Sequence, residues 1–407
     1  MLEDKCCAMI IGNEFYQKCC VSVQKEEIYM PPINVMLKPA SGLCNLRCRY
    51  CFYADEMKNR EISDYGFMSE ETLEVIVKKA LAEAEGQCTF GLQGGEPTLA
   101  GLDFFKKLVE LQKKHNSKNV AINNALQTNG MLIDEEWAKF FAENHFLIGV
   151  SLDGDQSLHD LYRRDAQDKG TFDRVMKTVS LLEQHGVEYN ILTVVTAQTA
   201  KRIGEIYKFF ARKNLRYQQY IPCLDPLEMQ RGAEKYSLTP ELYGDFLKKL
   251  FDLWYDDVVN GRFIYIRYFE NLLGMMLGMP PESCGVSGVC SRQYVIEADG
   301  SVYPCDFYML DRYKLGSLVD NSFAQLEERR KQLRFIEDSA IWPSECMNCK
   351  WVRVCRNGCR RDRILGSDNI IGKNYFCSSY QAFFAHAIPR LSEMCRAIAQ
   401  NRRGNIR

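Results

Sequence analysis

Between Ile33 and Cys223 short apolar runs of β-type residues alternate with longer stretches whose apolar positions recur at helical spacing. That alternation predicts repeated βα units and a parallel sheet. Six strands are expected: Ile33–Lys38, Cys88–Leu92, Val120–Leu126, Phe146–Leu152, Tyr189–Val195 and Tyr217–Ile221. Helices are expected over Ser69–Glu85, Gly101–His115, Glu135–Asn144, Thr171–His185 and Ala200–Lys213, with Asp134 as a good N-cap and Ser69 as a weak one. Six units rather than eight predict an α/β fold of the partial (β/α)6 TIM-type barrel, in which chemistry gathers at the C-terminal strand ends.

Past residue 237 the pattern changes. Ser237–Gly278 is rich in Tyr, Phe, Leu and Met at helical spacing and reads as packing helices. From Cys284 the chain becomes cysteine-dense loop, with a hairpin expected where Tyr294–Ala298 and Ser301–Pro304 flank Asp299-Gly300. The expected division is an extension over 1–28, a barrel over 29–236, a helical link over 237–283, a cysteine-rich extension over 284–380, and a C-terminal helix with a basic tail over 381–407.

The 407 residues carry 46% hydrophobic and 26% charged side chains and a net charge of −1, which leaves no basic field for nucleic acid or an anionic membrane. The start lacks a basic secretory signal and no window is apolar enough to span a bilayer, so a cytoplasmic protein is expected. Eighteen cysteines in such a chain point to metal ligation rather than disulfides. Cys6, Cys7, Cys19, Cys20, Cys88, Cys223 and Cys395 fall outside any motif; Cys88 and Cys223 read as core residues.

Three thiols, Cys44, Cys48 and Cys51, follow the first strand in a Cys-x3-Cys-x2-Cys run. They suffice for three corners of a [4Fe–4S] cube with one iron left open, whereas a zinc site usually pairs Cys-x2-Cys units and closes with a fourth ligand. Gly94-Gly95-Glu96-Pro97 follows the second strand, Gln127-Thr128-Asn129-Gly130 the third, and Ser151 ends the fourth. Eight further cysteines, Cys284, Cys290, Cys305, Cys346, Cys349, Cys355, Cys359 and Cys377, number enough for two four-thiolate clusters or for two structural zincs. Lys350, Arg353, Arg356, Arg360, Arg361 and Arg363 run through them, as a solvated face or as cations near anionic clusters.

The Cys44–Cys51 run, with Tyr50 before its last cysteine, and the Gly94–Pro97 motif resemble the radical S-adenosylmethionine superfamily. The second cysteine group resembles the twin-cluster SPASM extension. Through Ile33–Ser41, Cys51-Phe52-Tyr53, Leu92–Leu99 and Tyr303-Pro304-Cys305-Asp306-Phe307-Tyr308, the chain from about Tyr29 to Arg390 is similar to the anaerobic sulfatase-maturating enzymes.

The resemblance implies an oxidoreductase with three [4Fe–4S] clusters and S-adenosyl-L-methionine, which converts a sulfatase cysteine or serine to Cα-formylglycine through a 5′-deoxyadenosyl radical. It implies cluster ligation by Cys284, Cys290, Cys305 and Cys359 and, separately, by Cys346, Cys349, Cys355 and Cys377. It places S-adenosylmethionine contacts at Tyr50, Gly95, Ser151, Arg163 and Leu224, and the catalytic base at Asp306. The implied partners are an extended sulfatase polypeptide with a Cys/Ser-x-Pro/Ala-x-Arg motif and an electron donor such as flavodoxin or ferredoxin. Two alternatives stand beside it: a thioether-forming radical enzyme of the same build, for which 28 N-terminal residues are too few to form the usual peptide-binding unit, and a zinc-stabilised binding protein.

Overall fold

The computed structural model describes residues 33–227, 229–365 and 371–404. The N-terminal extension, with Cys6, Cys7, Cys19 and Cys20, lies outside the described residues, as does the end of the basic tail.

Seven strands form a parallel series in chain order: β1 (Ile33–Leu37), β2 (Gln87–Leu92), β3 (Ala121–Thr128), β4 (Leu147–Ser151), β5 (Tyr189–Val195), β6 (Tyr217–Pro222) and the two-residue β7 (Tyr265–Ile266). The first six are the expected strands, with ends moved by one or two residues. Beyond β1 the same sheet continues through β8 (Tyr294–Ile296), β9 (Ser301–Tyr303) and β10 (Gly316–Ser317). The expected hairpin is therefore the β8–β9 pair, and β8 runs parallel to β1 with Val35 opposite Tyr294. The sheet thus crosses the expected boundary at residue 284, and the cysteine-rich segment is built onto the barrel's first strand.

The connecting helices are α1 (Phe52–Lys58), α2 (Glu70–Glu83), α3 (Leu102–His115), α4 (Glu135–Glu143), α5 (Gln156–Tyr162), α6 (Phe172–Gln184), α7 (Ala197–Lys201) and α8 (Ile203–Arg212). The Ser69 hydroxyl accepts from Thr72 N–H, and the Asp134 carboxylate accepts from Glu136 and Trp137 N–H, so both caps form. The helix expected over Ala200–Lys213 is broken at Arg202: Thr196 caps a turn that starts earlier, and Arg202 turns its side chain to Asp155 and Glu205.

The strands bury their apolar side chains against these helices. Phe105, Phe141 and Phe146 are fully buried and cluster with Trp137, 4.9 Å from Phe105 between ring centroids. Truncating one such ring to alanine costs about 3–5 kcal/mol. Cys88 lies in this core, as expected. The linking segment forms α9 (Pro240–Val259) and α10 (Arg267–Met276), and the final helix α11 (Cys377–Gly404) packs on α9, with Ser379 Oγ donating to Pro240 O at 2.5 Å. Among the described residues no helix is long and apolar enough to cross a membrane.

Candidate functional site

The loop from Ser41 to Cys51 leaves the end of β1 and is held by its neighbours. Gly95 N–H donates to Ser41 O at 3.0 Å and Glu96 N–H to Leu43 O at 2.7 Å. A Cβ on Gly95 would stand 2.1 Å from Leu43 O and 2.6 Å from Gly42 C, so only glycine lets these two turns meet. Glu96 is buried, and its carboxylate accepts from Thr98 N–H and hydroxyl, from the Thr128 hydroxyl at 2.7 Å and from Asn129 N–H at 2.7 Å. It joins the ends of β2 and β3, which aims Asn129 Nδ2 at Asn45 (2.7 Å) and Cys44 Sγ (3.7 Å). In the sequence Glu96 shows only as part of the Gly94–Pro97 motif, with nothing that points to this task.

The thiols of this loop are half-buried. Burial pushes Cys44 up to about 11 and Cys48 up to about 12, with mutual repulsion among Cys44, Cys48 and Cys51 adding to it. Alone, such groups stay neutral at neutral pH. A cationic group between them would hold them as thiolates, so the donor set fits an iron cluster. Arg163 Nη1 lies 4.0 Å from Cys48 Sγ.

Beside them lies a buried polar cluster. Asp153 accepts from the Tyr50 hydroxyl, from Arg163 Nε at 2.9 Å and from Val194 N–H at 2.9 Å. Arg163 also stacks over Tyr50, 5.5 Å from the ring centroid. Asp153 N–H points at His159 Nδ1, so His159 carries its proton on Nε2 and donates to Thr171 Oγ1, which donates to Arg163 O. Burial, aided by the Arg163 charge, lowers His159 to about 4 and keeps it neutral. Ser151, at the end of β4, is buried, and its hydroxyl makes no hydrogen bond among the described residues. Cys223, expected as core, packs with Tyr50 and Tyr162 beside Cys48 rather than in the main core.

A cavity of about 520 Å³ is bounded by residues of β1 through β7. It is lined by Gln93, Leu224 and Asp306 and by four thiol-bearing residues, Cys284, Cys290, Cys305 and Cys359. Asp306 is buried. Its Oδ2 accepts from the Tyr53 hydroxyl at 2.6 Å and from Gln93 Nε2 at 3.1 Å, and Oδ1 faces Lys38 Nζ at 3.1 Å, at an ion-pair distance but outside hydrogen-bond alignment. Tyr53, Gln93 and Lys38 all lie within motifs read from the sequence, and Lys38 directly follows β1. Glu56 on α1 is buried nearby, and burial pushes its carboxyl up to about 8 despite the Lys38 charge.

A second, smaller cavity of about 60 Å³ is lined by the other four, Cys346, Cys349, Cys355 and Cys377. The eight cysteines of the extension are thus grouped four and four. Burial pushes Cys355 up to about 12, with Cys377, Cys346 and Cys349 adding repulsion, and raises Cys305 and Cys359 as well. Both donor sets fit an all-thiolate cluster.

Residues 39–210 match the radical SAM superfamily, and residues 284–350 match the SPASM iron-sulfur cluster-binding domain. The chain is 50% identical over 369 residues to the cysteine-type anaerobic sulfatase-maturating enzyme of Clostridium perfringens, covering 91% of this chain and 100% of the relative. It is 33% identical to the serine-type enzyme of Bacteroides thetaiotaomicron, covering 91% of this chain and 94% of that one. Among solved structures, native anSMEcpe with bound AdoMet and Cp18Cys peptide superposes with a TM-score of 0.87 at 49% identity, over 90% of this chain and 100% of that one. SuiB of Streptococcus suis, at 18% identity and a TM-score of 0.60 over 85% of this chain and 76% of that one, shares the fold. With its partial barrel, SPASM extension, [4Fe–4S] clusters and S-adenosylmethionine, the chain belongs to the anaerobic sulfatase-maturating enzymes.

Proposed function

We propose that this enzyme oxidises a cysteine of a sulfatase polypeptide to Cα-formylglycine, with Asp306 as the proton acceptor. The observation that carries the reading is the cavity shared by Asp306 and the Cys284, Cys290, Cys305 and Cys359 thiols. Cysteine is preferred over serine as the target because the cysteine-type relative is 50% identical and the serine-type relative 33%.

When bound, S-adenosylmethionine and the clusters supply the radical and one-electron chemistry. The chain's own groups bind, orient and move one proton. Cys44, Cys48 and Cys51 would hold the first cluster. Tyr50, Gly95, Ser151, Arg163 and Leu224 would hold S-adenosylmethionine: Ser151 offers a free hydroxyl, Arg163 keeps guanidinium N–H groups beyond the one spent on Asp153, and Leu224 offers apolar surface. Tyr50, whose hydroxyl is taken by Asp153, offers its main chain. Cys284, Cys290, Cys305 and Cys359 would ligate one auxiliary cluster, and Cys346, Cys349, Cys355 and Cys377 the other.

Asp306 would take the side-chain proton of the target, with Tyr53, Gln93 and Lys38 fixing its two oxygens. The target segment enters extended, bearing Cys-x-Pro-x-Arg, which suits a cytoplasmic enzyme acting before its sulfatase folds or is exported. Flavodoxin or ferredoxin would supply the electron. Anaerobic incubation with S-adenosylmethionine, reductant and paired Cys- and Ser-bearing peptides, read by mass spectrometry, tests this. Formylglycine from the Cys peptide is expected, and its absence with loaded clusters overturns the reading.

A further inference from the structure

Arg363 begins the three-residue strand Arg363–Leu365, four residues after Cys359, and only 4% of it is exposed. Its guanidinium is held entirely by carbonyls: Nε donates to Asn357 O at 3.2 Å, Nη1 to Ser339 O at 2.6 Å, and Nη2 to Gly288 O at 2.6 Å and Gly358 O at 3.0 Å. Among the described residues it has no carboxylate within ion-pair distance, and the adjacent buried Asp362 interacts with it only at longer range. Arg330, also buried, is paired with Glu327 at 2.9 Å. The carbonyls satisfy its N–H groups without neutralising its charge, and burying a cation that lacks a counter-charge is costly. Something anionic is expected to face it.

The four carbonyls show what that is. Gly288 precedes Cys290 by two residues, Gly358 precedes Cys359, Asn357 follows Cys355 by two, and the Ser339 hydroxyl accepts the N–H of Cys290 at 2.8 Å. Arg363 therefore stitches together backbone from both cysteine quartets. Of these carbonyl-bearing residues, Gly358 lines the cavity of the first quartet and Asn357 that of the second.

We propose that Arg363 is a positioning residue placed as one shared cation between the two quartets, where it raises the reduction potential of the clusters they hold. This rests on the assignment of both quartets as cluster ligands. A cation fixed beside a cube stabilises its reduced, more negative state, so each auxiliary centre accepts an electron more readily.

The test is a spectroscopic redox titration of the reconstituted full chain beside its iron count. About twelve irons in the wild type upholds the ligand assignment, and about four irons with two zincs would remove it. With about twelve irons present, Arg363→Gln is expected to make the auxiliary clusters harder to reduce by about tenfold in equilibrium constant, about 59 mV for a one-electron couple. The cluster at Cys44, Cys48 and Cys51 should be unmoved, and Arg363→Lys, which keeps the charge, should recover most of the shift. Unchanged auxiliary midpoints in Arg363→Gln, or an equal fall in Arg363→Lys, would overturn the proposal. Iron loss in Arg363→Gln alone supports a need for the charge, whereas loss in both variants assigns the residue to the scaffold and overturns it.

Discussion

Lys38 Nζ lies 3.1 Å from the carboxylate of Asp306 and 4.2 Å over the Tyr53 ring, so the residue just past β1 reaches across to the residue after Cys305. The pair is buried on both sides, 3% and 9% exposed. Its contribution to stability is modest, because desolvation offsets most of the attraction, but removing one partner strands the other at a cost of about 3–5 kcal/mol. Its value is positional: it fixes the carboxylate proposed as proton acceptor against the cavity.

Lys38→Met should therefore lower formylglycine formation by about tenfold or more while 5′-deoxyadenosine release continues, and should lower the melting temperature. Product by mass spectrometry and nucleoside by chromatography separate the two effects. Equal loss of both would mean that Lys38 serves the first cluster loop instead.

Gly95→Ala should fail earlier in the chemistry. Its Cβ would meet backbone at 2.1 Å and 2.6 Å, atoms that cannot swing aside, so the Ser41–Cys51 loop must separate from the turn after β2. Iron bound at Cys44, Cys48 and Cys51 and cleavage of S-adenosylmethionine should both be largely lost, with the eight auxiliary irons kept. Gly204→Ala, where the added methyl meets only Lys249 Cε at 3.9 Å, is the control and should stay within a few-fold of wild type.

The six main strands were legible as short β-type runs set between stretches of helical period, even though burial alternates along β1 and β2, where Asn34 and Thr89 turn away from the core. Tyr265–Ile266 was not, since two residues have no period. The β8–β9 hairpin was legible from Asp299-Gly300, but its place beside β1 was not, because pairing between Val35 and Tyr294 is a property of the whole fold. The same limit applies to the site. The cysteines announce themselves by spacing, whereas Glu96 and Asp153 act on partners some 30 to 40 residues away, Asn129 and Val194, and leave no local pattern.

Glu56 gives a pH test with a definite sign. Its carboxyl is raised by burial from an ordinary 4.5 to about 8, against the opposing charges of Lys38 and Arg361 and with the support of Asp306. Between those values the unfolded chain ionises Glu56 while the folded protein keeps it protonated, so the group disfavours folding increasingly as pH rises, by up to about 1.4 kcal/mol per pH unit. Below 4.5 both states are protonated and the effect vanishes. Glu56→Gln should melt near the wild type at pH 5 and progressively above it toward pH 8. A difference that does not change with pH would mean that Glu56 is ionised in the fold.

Asp306→Asn is the most discriminating substitution, because it keeps the size and shape of the side chain and removes only the acceptor of a full proton. Tyr53 and Gln93, which share one oxygen of Asp306, can still donate to the amide oxygen, while the amide nitrogen would face Lys38, itself a donor, so some local rearrangement is expected. The clusters should remain, since Cys305 keeps its backbone, and 5′-deoxyadenosine should still form. Formylglycine should fall by a factor on the order of 100 or more if Asp306 takes the target's proton. Product within a few-fold of the wild type, with all three clusters loaded, would reject that role and leave Asp306 as the anchor of Lys38 and Tyr53. The iron count accompanies the assay so that loss of the neighbouring Cys305 ligand is told apart from loss of the base.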